Sequence, residues 1–273
     1  MPFIPPMLAT RLTNPERLVD PRYVAEPKLD GQRAQLHVER GRTTACYSRP
    51  GLDLLRHAGM AWLRGIEWSF SAAVLDGEAC AGDGHQSVQH VLTERQRPDG
   101  AMALVLFDLL TLDDRSVMRE PWIDRRKRLE DLVDPGRTPR VSLVPVTEDA
   151  VRLWQTWVGE LAGEGIVLKD RHSFYHPGVR SPGWLKAKPT LTLEVAVTGG
   201  SAERIAWGDW GEAVNLEVRY RHPRDARQIE IRQAVRVPRG RPFALRVGDR
   251  AALVCWGTMP SGMLRHPLFL RWL

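Results

Sequence analysis

The stretch Glu26-Pro27-Lys28-Leu29-Asp30-Gly31-Gln32-Arg33 puts one lysine at the end of an alternating apolar run and beside an Asp-Gly turn. An amine held in this way can face a cleft, and a fixed, partly desolvated amine can lose its proton and attack an electrophile such as phosphorus. A solvated surface turn would show the same four residues Lys-x-Asp-Gly, so the stretch takes its meaning from what accompanies it. Asp30 either shapes that turn or orients the amine.

Other residue types suited to phosphate chemistry recur along the chain. Glu78, in Asp76-Gly77-Glu78, and Glu164, in Glu164-Gly165-Ile166-Val167-Leu168-Lys169, are carboxylates that could serve a hard divalent ion such as Mg²⁺ or Mn²⁺, or lie solvated in a loop, the usual fate of a glutamate. Lys186 and Lys188 lie two apart, which on a strand places both on one side, where they could neutralise charge developing on a phosphate. The guanidinium forks of Arg33, Arg49 and Arg180 match phosphate geometry. Phe107, in Phe107-Asp108-Leu109-Leu110, could offer a ring face to a base or simply pack in the core. The eight histidines show no nucleophile partner or ligand spacing, and no glycine-framed serine supports a hydrolase triad. The ten tryptophans read as core or interface residues rather than as a stacking array.

These side chains need rigid carriers. Residues 23–27 read as a strand entering Lys28, Asp30-Gly31 as a turn, Ala34, Leu36 and Val38 as a second strand, and residues 43–47 as its return past Gly41. Residues 72–75 predict a strand leading into Asp76-Gly77-Glu78, residues 102–110 a buried strand, and residues 165–169 a short strand in the main sheet. One helix is expected from Pro121 to Val133. A second is capped by Thr147, shows Val151, Trp154, Val158 and Leu161 on one face, and stops at Gly163. After Pro189, short β segments at 191–197, 213–220, 228–236 and 250–255 alternate with Gly/Pro/Arg-rich turns, the rhythm of a small barrel.

Composition narrows the function classes. A chain of 273 residues with 43% hydrophobic and 26% charged residues can bury one large or two modest cores and is not a disordered tract. Its 39 Lys+Arg against 33 Asp+Glu give +6, which favours a polyanionic partner through counterion release. Cys46, Cys80 and Cys255 are far apart with no CxxC or Cys/His spacing, so neither a disulfide framework nor a zinc site is indicated, and a reducing cytoplasm is expected. No window reaches transmembrane length, so no membrane association is expected.

The six elements, in order, carry a resemblance. Lys28 to Gly31 with Arg33, Ser48-Arg49-Pro50-Gly51, Asp76-Gly77-Glu78, Phe107-Asp108-Leu109-Leu110, the Glu164 to Lys169 element and Trp184-Leu185-Lys186-Ala187-Lys188 resemble the ordered motifs of the covalent nucleotidyltransferase superfamily of ATP-dependent DNA ligases, RNA ligases and mRNA capping enzymes. Tyr175-His176-Pro177-Gly178-Val179-Arg180 resembles the Tyr-x-x-Gly-x-Arg stretch of the DNA ligases, favouring that branch. The layout resembles the small bacterial accessory repair ligases of the C type.

The resemblance implies an α+β protein: an adenylation (nucleotidyltransferase) domain of antiparallel sheets with helices over residues 1–189, then a C-terminal OB-fold β-barrel over residues 190–273. It implies that Lys28 takes AMP from ATP and that the enzyme seals nicks in duplex DNA. Glu26 would meet the adenine edge and Phe107 its face. Arg33, Arg49 and Arg180 would contact phosphate or sugar, Lys186 and Lys188 the α-phosphate, Glu78 the ribose and a divalent ion, and Glu164 that ion. A nucleoid-associated cytoplasmic monomer working with bacterial repair proteins is expected.

The family's Arg-x-Asp-Lys element is matched only by the approach Arg265-His266-Pro267-Leu268-Phe269-Leu270-Arg271-Trp272-Leu273, with Arg271 as its remnant. In place of a helical DNA-binding domain, basic loops at residues 219–227 and 236–241 are expected to hold the duplex through its phosphates. The lack of a four-cysteine element points to ATP rather than NAD as donor. Two alternatives stay open: an RNA ligase or capping guanylyltransferase using the same lysine, and a nick-binding module that does not charge itself.

Overall fold

The computed structural model describes residues 1–81, 102–134, 138, 140–161, 163–206, 212–223, 225–237, 243–255, 257–259, 261–264 and 267–273. The chain divides into two units, Met1–Ala187 and Lys188–Leu273. Among the described residues no helix is long and apolar enough to cross a membrane.

Two sheets build the first unit. One has four strands in the order β1 (Leu8–Arg11), β10 (Arg180–Ala187), β9 (Ile166–Asp170) and β2 (Tyr23–Pro27). The other runs β4 (Arg42–Ser48), β3 (Gln32–Glu39), β5 (Ala73–Ala81), β6 (Met102–Leu112) and β7 (Arg115–Ser116), with β8 (Val141–Leu143) also paired to β6. Most pairings are antiparallel; β1 with β10 and β6 with β8 are parallel.

Period-two alternation sorts the side chains of the four-stranded sheet. Tyr23, Ala25, Ile166, Leu168 and Leu185 enter one apolar cluster, while Val24 and Trp184 enter another on the opposite face. The larger core packs Leu36, Leu75, Leu104 and Leu106 of the second sheet against Leu54, Leu55, Met60 and Leu63 of the short helical segments Leu54–Arg56, α1 (Ala58–Ala61) and Trp62–Gly65, and against Leu129 of α2 (Trp122–Leu132).

Three expectations are corrected. Asp76-Gly77-Glu78 does not follow its strand but lies inside β5: a Cβ on Gly77 would stand 2.7 Å from the Val105 carbonyl oxygen, so the glycine serves close strand approach rather than a turn. The second helix is capped by Asp149, which accepts from Arg152 N, and not by Thr147; after α3 (Ala150–Leu153) it widens into a π-helix, Trp154–Glu160. That wider register turns Trp154, Trp157 and Val158 towards the sheet and leaves Val151 and Leu161 exposed. Residues 268–272, read as part of a motif, form a strand.

The second unit is a closed five-stranded barrel, the OB-fold expected. Its order is β11 (Leu191–Ala206), β12 (Glu212–Arg221), β13 (Gln228–Arg236), β15 (Leu268–Trp272) and β14 (Arg250–Cys255). Val195, Val197, Val214, Leu216, Val218, Leu253 and Phe269 fill it. Arg271 is an exposed residue of β15 paired with Ala252; Arg265 and His266 lie outside the described residues, as do residues 238–241 of one basic loop and Arg224 of the other. Arg219, Arg221 and Arg227 are exposed on and beside the β12–β13 hairpin.

Candidate active site

A cleft of about 400 Å³ opens within the first unit, and Glu26, Lys28, Arg33, Arg49, Glu78, Phe107, Arg180 and Lys186 all line it. The topology explains the convergence. β2 delivers Glu26 and ends at Pro27, so Lys28 follows the strand with its N–H donated to the Gly165 carbonyl at 2.9 Å. Opposite partners Glu26↔Val167 and Val167↔Lys186 form one row across three strands, all facing the cleft. From the other sheet, Arg33 of β3 stands opposite Glu78 of β5.

Gly31 is required here: a Cβ at that position would collide with the Ala79 carbonyl and approach Glu78 Cγ to 2.8 Å, so only glycine lets the turn after Lys28 press onto β5. Phe107 owes its aim to a bulge. The β5–β6 register slips between Asp76, opposite Asp108, and Gly77, opposite Leu106, leaving Phe107 as the extra residue, lining the cleft.

The lysine has a specific partner. Lys28 Nζ donates to Glu164 Oε2 at 2.5 Å, with the Leu29 carbonyl further off at 3.4 Å. Glu164 thus flanks the cleft through Lys28 rather than as a lining residue. Glu78, half-buried in the cleft lining, has its carboxyl pushed up to about 7 by desolvation, against the opposing pull of Lys28 and Arg33. Among the described residues no group of three or more His, Cys, Asp and Glu could by itself hold a metal ion.

Lys186 lines the cleft, but β10 ends at Ala187, so Lys188 is not on the strand with it: it opens the second unit and is not among the lining residues. The shared strand face expected for the two lysines therefore holds for Lys186 alone. Arg180 is exposed and donates to the Ala9 carbonyl at 2.7 Å, and Arg49 is an exposed residue of the rim.

Several residues around the cleft support it through contacts that the sequence does not display. Arg33 is held by Asp76 through two bonds, Nε to Oδ1 at 2.6 Å and Nη2 to Oδ2 at 2.5 Å, and Tyr175 donates its hydroxyl to Asp76 at 2.6 Å while accepting from Met7 N. Burial weakens the Arg33 charge, yet the Asp76 carboxylate outweighs it and holds the guanidinium above its ordinary value. Its guanidinium carbon lies 4.8 Å from the Phe107 ring centre, so Arg33 forms a fixed cleft wall. Behind Phe107, Asp108 and Arg125 form a fully buried bidentate pair at 2.8 and 2.9 Å. Lys169, the last residue of the Glu164 element, is buried at the floor of the cleft, which it lines, and is paired with Glu26 at 2.8 Å.

Comparison with known proteins decides the affiliation. The model of the family described as ATP dependent DNA ligase domain matches residues 6–188. This chain belongs to that family. A DNA ligase of Methanothrix thermoacetophila is 32% identical over 221 residues, covering 75% of this chain and 38% of that protein. A probable DNA ligase of Mycobacterium sp. strain KMS is 30% identical over 233 residues, covering 80% of this chain and 43% of that protein. The chain thus spans about two fifths of the length of the curated relatives it matches.

Solved structures agree in fold across both units of this ligase-family chain. The ligase domain of M. tuberculosis LigD matches with a TM-score of 0.59 at 24% identity, covering 99% of this chain and 95% of that one. A Lig E DNA ligase, studied as a minimal DNA-binding scaffold, matches with a TM-score of 0.70 at 20% identity, covering 98% of this chain and 99% of that one.

Proposed function

We propose that this chain is an ATP-dependent DNA ligase that seals 5′-phosphate/3′-hydroxyl nicks in duplex DNA through an AMP carried on Lys28. The observation that carries the reading is the seating of Lys28 at the cleft, its amine 2.5 Å from Glu164 Oε2. A partly buried lysine fixed in this way beside a carboxylate suits a nucleophile that must be oriented and deprotonated.

In the first step the Lys28 amine attacks the α-phosphorus of ATP, the bond to pyrophosphate breaks, and a phosphoramidate forms. The amine must shed a proton, and Glu164 Oε2 is the nearer of the two acceptors on it. Lys186 neutralises charge on the α-phosphate, and Arg49 and Arg180 at the rim meet phosphate or sugar. Arg33, held by Asp76 beside Phe107, keeps its proposed contact with phosphate or sugar from a fixed position in the cleft wall. The AMP then passes to the nick 5′-phosphate, and the 3′-hydroxyl displaces it.

Glu78 and Glu164 fit a divalent ion: Mg²⁺ takes one or two carboxylates and completes its shell with substrate phosphates and water, so a protein cage of three ligands is not required. When bound, Mg²⁺ or Mn²⁺ would supply charge neutralisation at the phosphates. Lys188 keeps its proposed α-phosphate role. Exposed arginines at 219, 221 and 227 are the proposed duplex contacts. A monomeric, nucleoid-associated cytoplasmic enzyme of bacterial repair, of the C type, completes the proposal.

The test is sealing of a 5′-labelled nicked duplex with ATP and Mg²⁺ or Mn²⁺. Ligated product on an all-DNA nick supports the reading. Activity confined to RNA termini would replace it with the RNA ligase alternative, and nick binding without any lysine adduct would replace it with the binding module.

A further inference from the structure

The floor of the cleft holds a buried ion pair that the reaction steps above do not use. Glu26 is 3% exposed and Lys169 1% exposed, with Lys169 Nζ 2.8 Å from Glu26 Oε2. The β2–β9 register puts Val24 opposite Lys169 and Glu26 opposite Val167, so both charged side chains leave their strands on the cleft face. Lys169 is also held by the Phe107 carbonyl at 3.1 Å and by the rings of Trp184, Phe107 and Trp122, whose centres lie 4.2, 4.6 and 5.4 Å from its nitrogen. Such a cage suits a cation.

The second carboxylate oxygen is the informative atom. Glu26 Oε1 is buried and has no hydrogen-bond partner among the described residues, while Glu26 lines the cleft. An unsatisfied buried acceptor costs free energy until a donor arrives, so the cleft is built to receive an N–H at this point. A 6-aminopurine supplies that donor. A 6-oxopurine presents a carbonyl oxygen at the same edge and would set acceptor against acceptor.

Which base is accepted then depends on the charge of Glu26. Burial pushes its carboxyl up, and the Lys169 ammonium is the largest influence opposing this. Without the ammonium the buried group would take a proton and become a donor, inverting its preference.

We propose that Lys169 is a positioning residue that sets the base selectivity of the nucleotide donor, by holding Glu26 as an acceptor for the 6-amino group. This rests on reading the cleft as the donor-nucleotide site. Lys169 lies at the cleft floor, with its ammonium engaged by Glu26 and the Phe107 carbonyl, and its proposed effect runs through Glu26.

The test compares ATP with inosine triphosphate, its 6-oxo counterpart, as donors for covalent labelling of the full chain, with KM and kcat measured separately. The variants are Lys169→Met, Glu26→Gln and the two combined. Lys169→Met should raise KM for ATP by about 10–100-fold with little change in kcat, and the ATP over inosine triphosphate preference should fall at least about tenfold. In the Glu26→Gln background, Lys169→Met should shift that preference by less than about twofold, because its route is gone. Should Lys169→Met not fold, Lys169→Gln, neutral but still able to reach Glu26 and Phe107, should show the same loss. Equal losses with both nucleotides, or effects of Lys169→Met and Glu26→Gln that simply add, would overturn the proposal as mere packing. A wild-type chain that labels with neither nucleotide would remove the donor-site reading itself, and a wild type that labels equally with both would leave that reading standing while overturning this one.

Discussion

Lys28 and Glu164, 136 residues apart in sequence, meet at 2.5 Å because β2 and β9 are neighbours and the Gly165 carbonyl takes the Lys28 backbone N–H. The contact joins the nucleophile of the proposed reaction to its orienting carboxylate just beyond the ends of two paired strands.

Replacing Glu164 with glutamine keeps the shape and removes the charge. Formation of the Lys28 adduct is expected to slow by about 100-fold or more, with the melting temperature shifted by no more than a few degrees. Rapid-quench labelling with α-labelled ATP gives the rate. An unchanged rate would assign Glu164 no part in the chemistry.

The buried Asp108–Arg125 pair fixes the segment from which Phe107 projects, with Arg125 Nη1 also donating to the Glu120 and Ser173 carbonyls. Arg125→Met leaves a buried carboxylate uncompensated and is expected to cost about 3–5 kcal/mol. Asp108→Leu combined with Arg125→Met should lose less than either single change, as read by urea denaturation. Additive losses would contradict the pairing.

Stability should also fall in mild acid through His37. Gln35 Oε1 accepts from both Ile4 N, at 3.0 Å, and His37 Nε2, at 2.9 Å, so the ring carries its proton on Nε2. Burial pushes the imidazole down from 6.5 to about 4. The folded state therefore binds this proton less readily than the unfolded chain. The contribution is whole above pH 6.5 and is lost as pH falls towards about 4. The loss at pH 5 is about 2 kcal/mol. His37→Gln, which still donates towards Gln35, should flatten this part of the pH–stability curve; an identical curve would refute the assignment.

Binding to a nicked duplex should weaken by about 10-fold or more between roughly 50 and roughly 200 mM salt, with little dependence on flanking sequence. Fluorescence anisotropy measures both. Arg219→Ala with Arg227→Ala should lower the salt slope, and a flat salt curve would contradict phosphate-based binding.

The cleft-lining residues are singled out in the sequence by the ordered motifs that carry the resemblance, and strand pairing shows why several of them converge. Glu26 and Lys186 fall on one row through Val167, and the Asp30-Gly31 turn announces Lys28. Phe107 was legible as a residue type, but its aim depends on a bulge that depends on Gly77 packing against Val105, a tertiary contact. Lys169 appears in the sequence only as the last residue of the Glu164 element, without a role of its own; the three surrounding rings and Glu26 give it one.

The π-helical turn after Leu153 escaped for a related reason. The spacing of Val151, Trp154, Val158 and Leu161 fits a period of 3.6, and only packing on the sheet selects the wider register that lays the half-buried Trp157 against it. The fifth barrel strand was obscured because residues 268–272 invite comparison with a motif, although Phe269 packs inside the barrel.

The central claim, that Lys28 is the covalent carrier of AMP, is tested most directly by incubating the full chain with α-labelled ATP and Mg²⁺ or Mn²⁺, then separating it under denaturing conditions beside Lys28→Ala. An acid-labile adduct on the wild type that is lost in the variant is the result predicted. A folded wild-type chain, free of bound AMP, that gains no label, or a Lys28→Ala variant that labels equally well, would contradict it.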